Sequence, residues 1–316
     1  MKKLLCIILT LFIFVCIAGC ANKTDMQSDE SKNFYTFTDS LGNEITLNNK
    51  PEKVAVLFSS YADIWNLAGG SVDISVGESV ERGFAEDDCI LVDEKSGHSS
   101  IDLEKLLESQ PDLVIGTADY QVQVDAVDFC REQGIPAASF KVESFDDYLS
   151  MLKICCDITE NPESYETYGV EVGERIDTLL TEVNEKESTA KKILFIRSGS
   201  GASSAKAKTA QDNFVCKMLQ DLNTENIADK APVLLDGLSI EEVMISQPDF
   251  IFITTMGDEE AAKNYMDSVL QSAGWKDLNA VKSGNYAYLP KEMFHYKPNS
   301  QWDKAYEMLI NLLYER

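Results

Sequence analysis

The chain is 316 residues long and strongly acidic, with 53 Asp and Glu against 28 Lys and Arg and a formal net charge of −25 at pH 7. Such a surface repels phosphate backbones, which excludes nucleic acid as a partner, although local groups in a cleft can still override the mean field for a small anion. Only two histidines are present, which excludes a zinc site built on three imidazoles.

Residues 1–19 read as a signal peptide. In MKKLLCIILTLFIFVCIAGC two lysines precede an apolar stretch from Leu4 to Ala18, short for a membrane span of about 20 residues. Ile17-Ala18-Gly19-Cys20 resembles the bacterial lipobox, whose cysteine takes a diacylglycerol and becomes the first mature residue, so Cys20 is the expected lipidation site. Loss of Lys2 and Lys3 with the leader would take the net charge from −25 to −27. Residues 20–33 are polar without apolar periodicity and read as a flexible tether. The expected location is extracytoplasmic, lipid-anchored to the outer face of the cytoplasmic membrane in a Gram-positive-like arrangement. Beyond Cys20 stand Cys89, Cys130, Cys155, Cys156 and Cys216, an odd number without metal-ligand spacing. Disulfides are permitted outside the cell, but nothing here requires them, and Cys155-Cys156 inside a helical pattern read as small buried hydrophobes.

FYTFTDSLGNEITLNN (34–49) alternates apolar and polar residues around Leu41-Gly42-Asn43, a hairpin by its turn chemistry. KVAVLF (53–58) is a continuous apolar run suited to a strand buried on both faces. SSYADIWNLAGG follows as a loop and helix stopped at Gly69-Gly70. VDISVGES, CILVDE, PDLVIG and IPAASF supply further strands, with helices in LEKLLES, VDAVDFCREQG and YLSMLKICCDI. Strands alternating with helices imply a parallel, helix-covered sheet, placing an α/β lobe over residues 34–160. Asn161 can cap a helix and Pro162 fits its first position. Behind them Tyr165, Tyr168, Val172, Ile176, Leu179, Leu180 and Val183 recur at three- and four-residue spacing. The connecting segment is 161–188, and its apolar pattern runs to about Lys186, which as one helix is about 37 Å long. The alternation then restarts with KKILFIR, a helix around DNFVCKMLQDL, the apolar stretch PVLL, helix SIEEVMIS, strand PDFIFIT, helix NYMDSVLQ, strand YAYLP and terminal helix SQWDKAYEMLINLLYE. These make a second α/β lobe over 189–316.

One phrase occurs twice. DLEKLLESQPDLVI (102–115) aligns without a gap with SIEEVMISQPDFIF (239–252), one copy in each lobe. Pro-Asp ends the helix and opens a buried strand, since proline has no amide donor and cannot continue a helix. Glu104 and Glu241, seven residues before each proline, have no part in that. A helix needs no glutamate there, and a solvated surface is the plain reading of either one alone.

These motifs in this order make the chain resemble the substrate-binding lipoproteins of ABC importers for ferric siderophores, haem and cobalamin. DSLGNEITLNNKPEKVAVL is similar to that family's opening hairpin and first strand. The paired Glu-to-Pro-Asp phrases resemble its repeated motif, and WKDLNAVKSGNYAYLP its closing segment. A single long helix between lobes is the family's hallmark. The resemblance covers nearly the whole mature chain. It implies two Rossmann-like lobes joined by one long α-helix, with the ligand cleft between them. It also implies a monomer with no resident cofactor, an iron chelate as ligand (a ferric siderophore foremost, haem or cobalamin as alternatives) and an ABC importer permease dimer as partner. In that family a surface glutamate on each lobe pairs with permease arginines. Carried onto this sequence these are Glu104 and Glu241, with Glu108 and Glu242 as neighbouring choices. Charge pairs of this kind fix register and steer docking.

Open α/β sheets bind ligands beyond the C-terminal ends of their strands. The candidate ligand-binding residues are therefore Tyr61, beside Ser59 and Ser60 after the first strand, Arg82 and His98 in later loops, and Tyr120 beside Asp119 after PDLVIG. From the second lobe come Arg197, the small-residue loop running to Lys206, Met256 and Tyr296. Arg82 and Arg197, one per lobe and each in or beside a loop, suit the clamping of an anionic chelate, with ordinary surface pairing as the competing reading. The loop SGSGASSAK offers backbone amides to ligand oxygens. His98 and His295 are the only imidazoles that could ligate an iron or haem directly. RSGSGASSAK lacks the third glycine of a dinucleotide fingerprint and contains no nucleophile elbow, so the chain does not read as an enzyme. An anchored surface protein without a transported ligand is the remaining alternative, and it leaves Glu104 and Glu241 unexplained.

Overall fold

The computed structural model describes residues 33–93, 100–186 and 189–315; Cys20 and His98 lie outside them. The chain enters through the hairpin of β1 (Tyr35–Thr38) and β2 (Glu44–Leu47), with Tyr35 opposite Leu47. Asp39 holds its turn, one carboxylate oxygen accepting from the Leu41 and Asn43 amides at 2.9 and 2.8 Å. The other oxygen accepts from the Ser139 amide and the Arg131 guanidinium, tying the hairpin to the first lobe.

The first lobe is built on β3 (Val54–Val56), β4 (Ile74–Ser75), β5 (Ile90–Leu91), β6 (Leu113–Thr117) and β7 (Ala137–Phe140). They run parallel in the order β5-β4-β3-β6-β7. The second is built on β8 (Lys191–Ser198), β9 (Lys206–Ala207), β10 (Thr224–Asn226), β11 (Phe250–Thr255) and β12 (Tyr286–Tyr288). Its parallel order is β10-β8-β11-β12, and β9 pairs antiparallel with β8. Every residue of β6 and β11 is buried, as strands covered by helices on both faces require. In each sheet the strand order reverses beside the first strand, between β3 and β6 and between β8 and β11, and these are the points where such sheets bind ligands.

The repeated phrase folds the same way twice, and in more detail than a helix breaker needs. Gln110 (φ 51°) and Gln247 (φ 47°) both take the left-handed conformation that ends their helices. The aspartate after each proline then reaches to the chain entering the neighbouring strand. Asp112 accepts from the Glu52 and Lys53 amides at 3.0 and 2.9 Å, and its own amide donates to the Lys53 carbonyl. Asp249 likewise accepts from the Lys192 amide at 2.8 Å and donates to the Lys192 carbonyl.

Between the sheets runs the connecting helix, residues 162–186, opened by the Asn161 side chain accepting from the Ser164 amide, with Pro162 in the first turn. It contains one π-helical turn, Glu166–Val170, where the Tyr148 hydroxyl donates to the Tyr168 carbonyl at 2.9 Å. The terminal helix Trp302–Tyr314 lies along it, pinned by Arg175 Nε donating to Asp303 at 2.6 Å. One buried cluster passes through all of this, including Val56, Met151, Val172, Phe195, Phe214 and Leu309. Each sheet's other face has its own smaller core, around Leu106 and Val114 in one lobe and Leu194, Val243 and Ile251 in the other. The apolar stretch PVLL forms a helical turn, Val233–Asp236. The five cysteines are free thiols, all but Cys89 buried. Burial raises the Cys155 thiol far above its ordinary value and the Cys156 thiol to about 11. Among the described residues no helix is long and apolar enough to cross a membrane.

Candidate functional site

The strand ends of the two lobes face each other across a cavity of about 270 Å³. From the first lobe Phe58 follows β3, Asp119 and Tyr120 follow β6, and Glu143 follows β7; from the second come Arg197 at the end of β8, then Asp212, Asn213 and Phe214, and finally His295, Tyr296 and Lys297. Asn213 is fixed by capping the helix Phe214–Asp221, its side chain accepting from the Val215 amide at 2.9 Å.

Two contacts tie the lobes together at this end of the cleft. Lys297 donates to Glu143 at 2.7 Å with side-chain exposures of 9% and 18%, and its ammonium lies 5.0 Å from the centre of the Phe214 ring. Nearby, the Asn299 amide donates to the Ser60 carbonyl at 2.8 Å and to Asp63 at 2.7 Å. Burial raises the pKa of Asp63 while the bond from Asn299 lowers it, leaving it above its ordinary value.

The charges in the cavity are not equivalent. Desolvation raises the Asp119 carboxyl above the ordinary carboxylate range, opposed in part by Lys297. Burial works the same way on Asp212, but the bond from Lys208 and the Thr209 amide outweigh it, and that carboxyl ends below its ordinary value. Tyr120 is raised by burial, with the positive charge of Arg197 acting against it. The Arg197 side chain makes no hydrogen bond or salt bridge among the described residues, and neither does that of Lys206. These two cations are directly opposite in the β8–β9 pair, so their side chains leave the same face. Like charges there destabilise a ladder unless an anion joins them.

Of the residues expected to bind ligand, Tyr120, Arg197 and Tyr296 line this cavity, together with His295. Tyr61 does not. The helix Ser59–Leu67 starts almost directly after β3, so its first turn packs inward; Tyr61 is fully buried, its hydroxyl donating to the Phe140 carbonyl at 3.1 Å. Phe58 faces the cavity in its place. Arg82 also stands back from the lining. It donates to the Ser59 and Ser60 hydroxyls at 2.8 and 3.1 Å, and its guanidinium lies 3.8 Å from the centre of the Tyr296 ring, so it backs a residue of the lining. Burial lowers its pKa.

Lys206 and Met256 flank the site without lining it. The glycine–serine loop is closed on itself: the Gly199 amide donates to the Ser204 carbonyl, and the Ser204 amide and hydroxyl both donate to the Gly201 carbonyl. The amides expected to cradle ligand oxygens are largely used within the loop. Its tightness requires glycine at 199, where a Cβ would come within 2.5 Å of the Ser204 hydroxyl. No group of three or more His, Cys, Asp or Glu side chains that could hold a metal ion occurs among the described residues. Glu104 and Glu241 are both exposed, each in the first turn of its helix, Leu103–Glu108 and Ile240–Ser246.

Phe58, Glu143, Asp212, Asn213, Phe214 and Lys297 were not singled out from the sequence. Phe58 and Glu143 follow strands as closely as Asp119 does. Lys297 carried no local signal.

A relative in Bacillus subtilis, the uncharacterized ABC transporter substrate-binding lipoprotein YvrC, is 24% identical over 279 residues, covering 85% of this chain and 83% of that one. Among solved structures, Staphylococcus aureus SirA complexed with staphyloferrin B matches at 17% identity with a TM-score of 0.65, covering 89% of this chain and 97% of that one. The periplasmic vitamin B12 binding protein BtuF of Vibrio cholerae matches at 18% identity with a TM-score of 0.67, covering 84% and 97%. The family model described as periplasmic binding protein matches residues 54–293, a span that takes in both parallel sheets, the connecting helix and every cavity-lining residue except His295, Tyr296 and Lys297; this chain belongs to the periplasmic binding protein family.

Proposed function

We propose that the chain captures an anionic iron chelate, a ferric siderophore foremost, in the cleft between its lobes and delivers it to the permease of an ABC importer. The observation that carries the ligand class is the opposed pair of Arg197 and Lys206, two cations on one face of a two-strand ladder with no carboxylate among the described residues joining them. An anion entering the cavity would meet the guanidinium in the bidentate geometry it favours. Tyr120, Tyr296 and Phe214 supply aromatic walls. The staphyloferrin complex of SirA and the name of the Bacillus relative support the same reading. Haem, with two carboxylates, satisfies the cations as well. Cobalamin satisfies them less. On this reading Cys20 carries the lipid that holds the chain at the membrane surface, and Glu104 and Glu241 meet basic residues of the two permease subunits.

The test is a fluorescence titration of the chain from residue 21 onward against ferric catecholates, ferric hydroxycarboxylates, haemin and cobalamin. Trp302 reports on the cavity through Phe214, with ring centres 5.6 Å apart. Saturable quenching by an anionic chelate at sub-micromolar concentration is expected. Quenching by cobalamin alone, or by none of the panel, would sink the proposal.

Asp119 adds a pH dependence of defined sign. Below its raised pKa the carboxyl is neutral; above it the carboxylate repels an anion in the same cavity. Affinity for a chelate of constant charge should therefore rise as pH falls through that pKa, by about tenfold for each unit by which the ligand raises it further. Asp119→Asn should bind at neutral pH as the parent does in acid. A variant that keeps the parent's pH slope would rule Asp119 out as its origin.

A further inference from the structure

We infer that the two lobes of this chain dock on two different permease sequences, not on two copies of one. The inference rests on the docking role proposed for Glu104 and Glu241. The two helices that carry these glutamates correspond residue for residue: Glu104 with Glu241, Leu106 with Val243, Leu107 with Met244 and Glu108 with Ile245. Leu106 and Val243 are both buried, so the helices present the same faces.

Around the glutamates the surfaces diverge. On the second lobe Met244 is 47% exposed and Ile245 77%, making Ile245 the most exposed large apolar side chain among the described residues. On the first lobe Leu107 is half-buried and Glu108 is an exposed carboxylate. A scattered exposed isoleucine needs no explanation. Here two adjacent apolar side chains lie next to the acid proposed to make the contact, and the twin helix has a charge where Ile245 stands.

A surface that receives the second lobe must offer an apolar hollow for Ile245 beside a cation for Glu241. Turned onto the first lobe, the same hollow would close over Glu108, and desolvating an unpaired carboxylate is costly. Identical subunits related by a two-fold axis present identical surfaces to both lobes. The chain therefore fits unlike subunits, one with an apolar hollow beside a basic residue and one polar throughout.

The test places the photo-cross-linker p-benzoylphenylalanine at position 105, beside Glu104 with Glu108 left in place, in one variant and at position 245 in another, in the full-length protein in its own cells, and sequences the cross-linked peptides. Peptides from two different permease sequences are expected. The same permease peptides from both positions would overturn the inference while leaving the docking reading standing. Cross-links to no permease from either position would remove the docking reading and the inference with it. Ile245→Glu, an exposed change that gives the second lobe the first lobe's charge, should lower the cross-linking yield from position 105 by about tenfold. An unchanged yield would also overturn the inference.

Discussion

Replacing Lys297 with methionine is expected to lower the stability of the folded chain by about 3 kcal/mol, the order found when a buried ion pair is broken from one side. Lys297 and Glu143 meet at 2.7 Å in the cleft with little of either side chain exposed. Removing the ammonium leaves Glu143 desolvated without its partner and takes away the cation that also holds down the pKa of Asp119. Methionine keeps most of the volume and the contact with Phe214, so the loss reports charge more than packing. The double variant Lys297→Met/Glu143→Gln should recover most of the stability, because a buried pair replaced on both sides costs far less than one left half-made. Urea unfolding of the parent, both single variants and the double completes the cycle. Losses that simply add would show that the pair is not coupled and that the lobes are held by other contacts.

Arg197→Glu should separate binding from folding. Loss of the guanidinium from the cavity, and its replacement by a like charge facing the ligand, is expected to weaken an anionic chelate by about 100-fold or more, the scale of two charge-assisted hydrogen bonds. The same change should leave stability unaltered or raise it by up to about 1 kcal/mol, because it turns an opposed like-charge pair with Lys206 into an opposed ion pair. Calorimetric binding and thermal melting on one preparation would read both effects. A variant that binds within a few-fold of the parent would show that Arg197 does not hold the ligand and would remove the observation that carries the proposed ligand class.

Much of the fold was legible because its signals are local. The hairpin turn, the Asn161-Pro162 helix start and the twice-written Ser-Gln-Pro-Asp phrase each involve residues within a few positions of one another, and the structure places a turn, a helix start and two helix–strand junctions at them. The left-handed glutamines and the backward reach of Asp112 and Asp249 were not legible, because they depend on the neighbouring strand's arrival.

The site was read less well, for a related reason. The rule that ligands lie after strands selected Tyr61 two positions past Ser59, but a helix that begins at Ser59 turns that side chain into the core and leaves Phe58 facing outward. Arg82 was selected as a loop cation matching Arg197 in the other lobe, and the structure uses its charge against hydroxyls and a tyrosine ring. Glu143 and Lys297 are 154 positions apart and meet only when the lobes do. Their partnership exists in three dimensions alone.

The buried cluster that runs from the first sheet through the connecting helix into the second sheet and the terminal helix has a thermodynamic consequence. Neither lobe keeps the apolar face it shares in this cluster covered if the other melts, so the two lobes are expected to unfold as one cooperative system, with a calorimetric enthalpy equal to the van't Hoff value. A chelate that touches only the cleft then stabilises the outermost helix of each lobe as much as it does the strand ends beside it. Occupancy of the cleft raises the free energy of the whole unfolding transition by RT ln(1 + [L]/Kd), and amide protons far from the ligand that exchange only by that global opening slow by the same factor as those next to it.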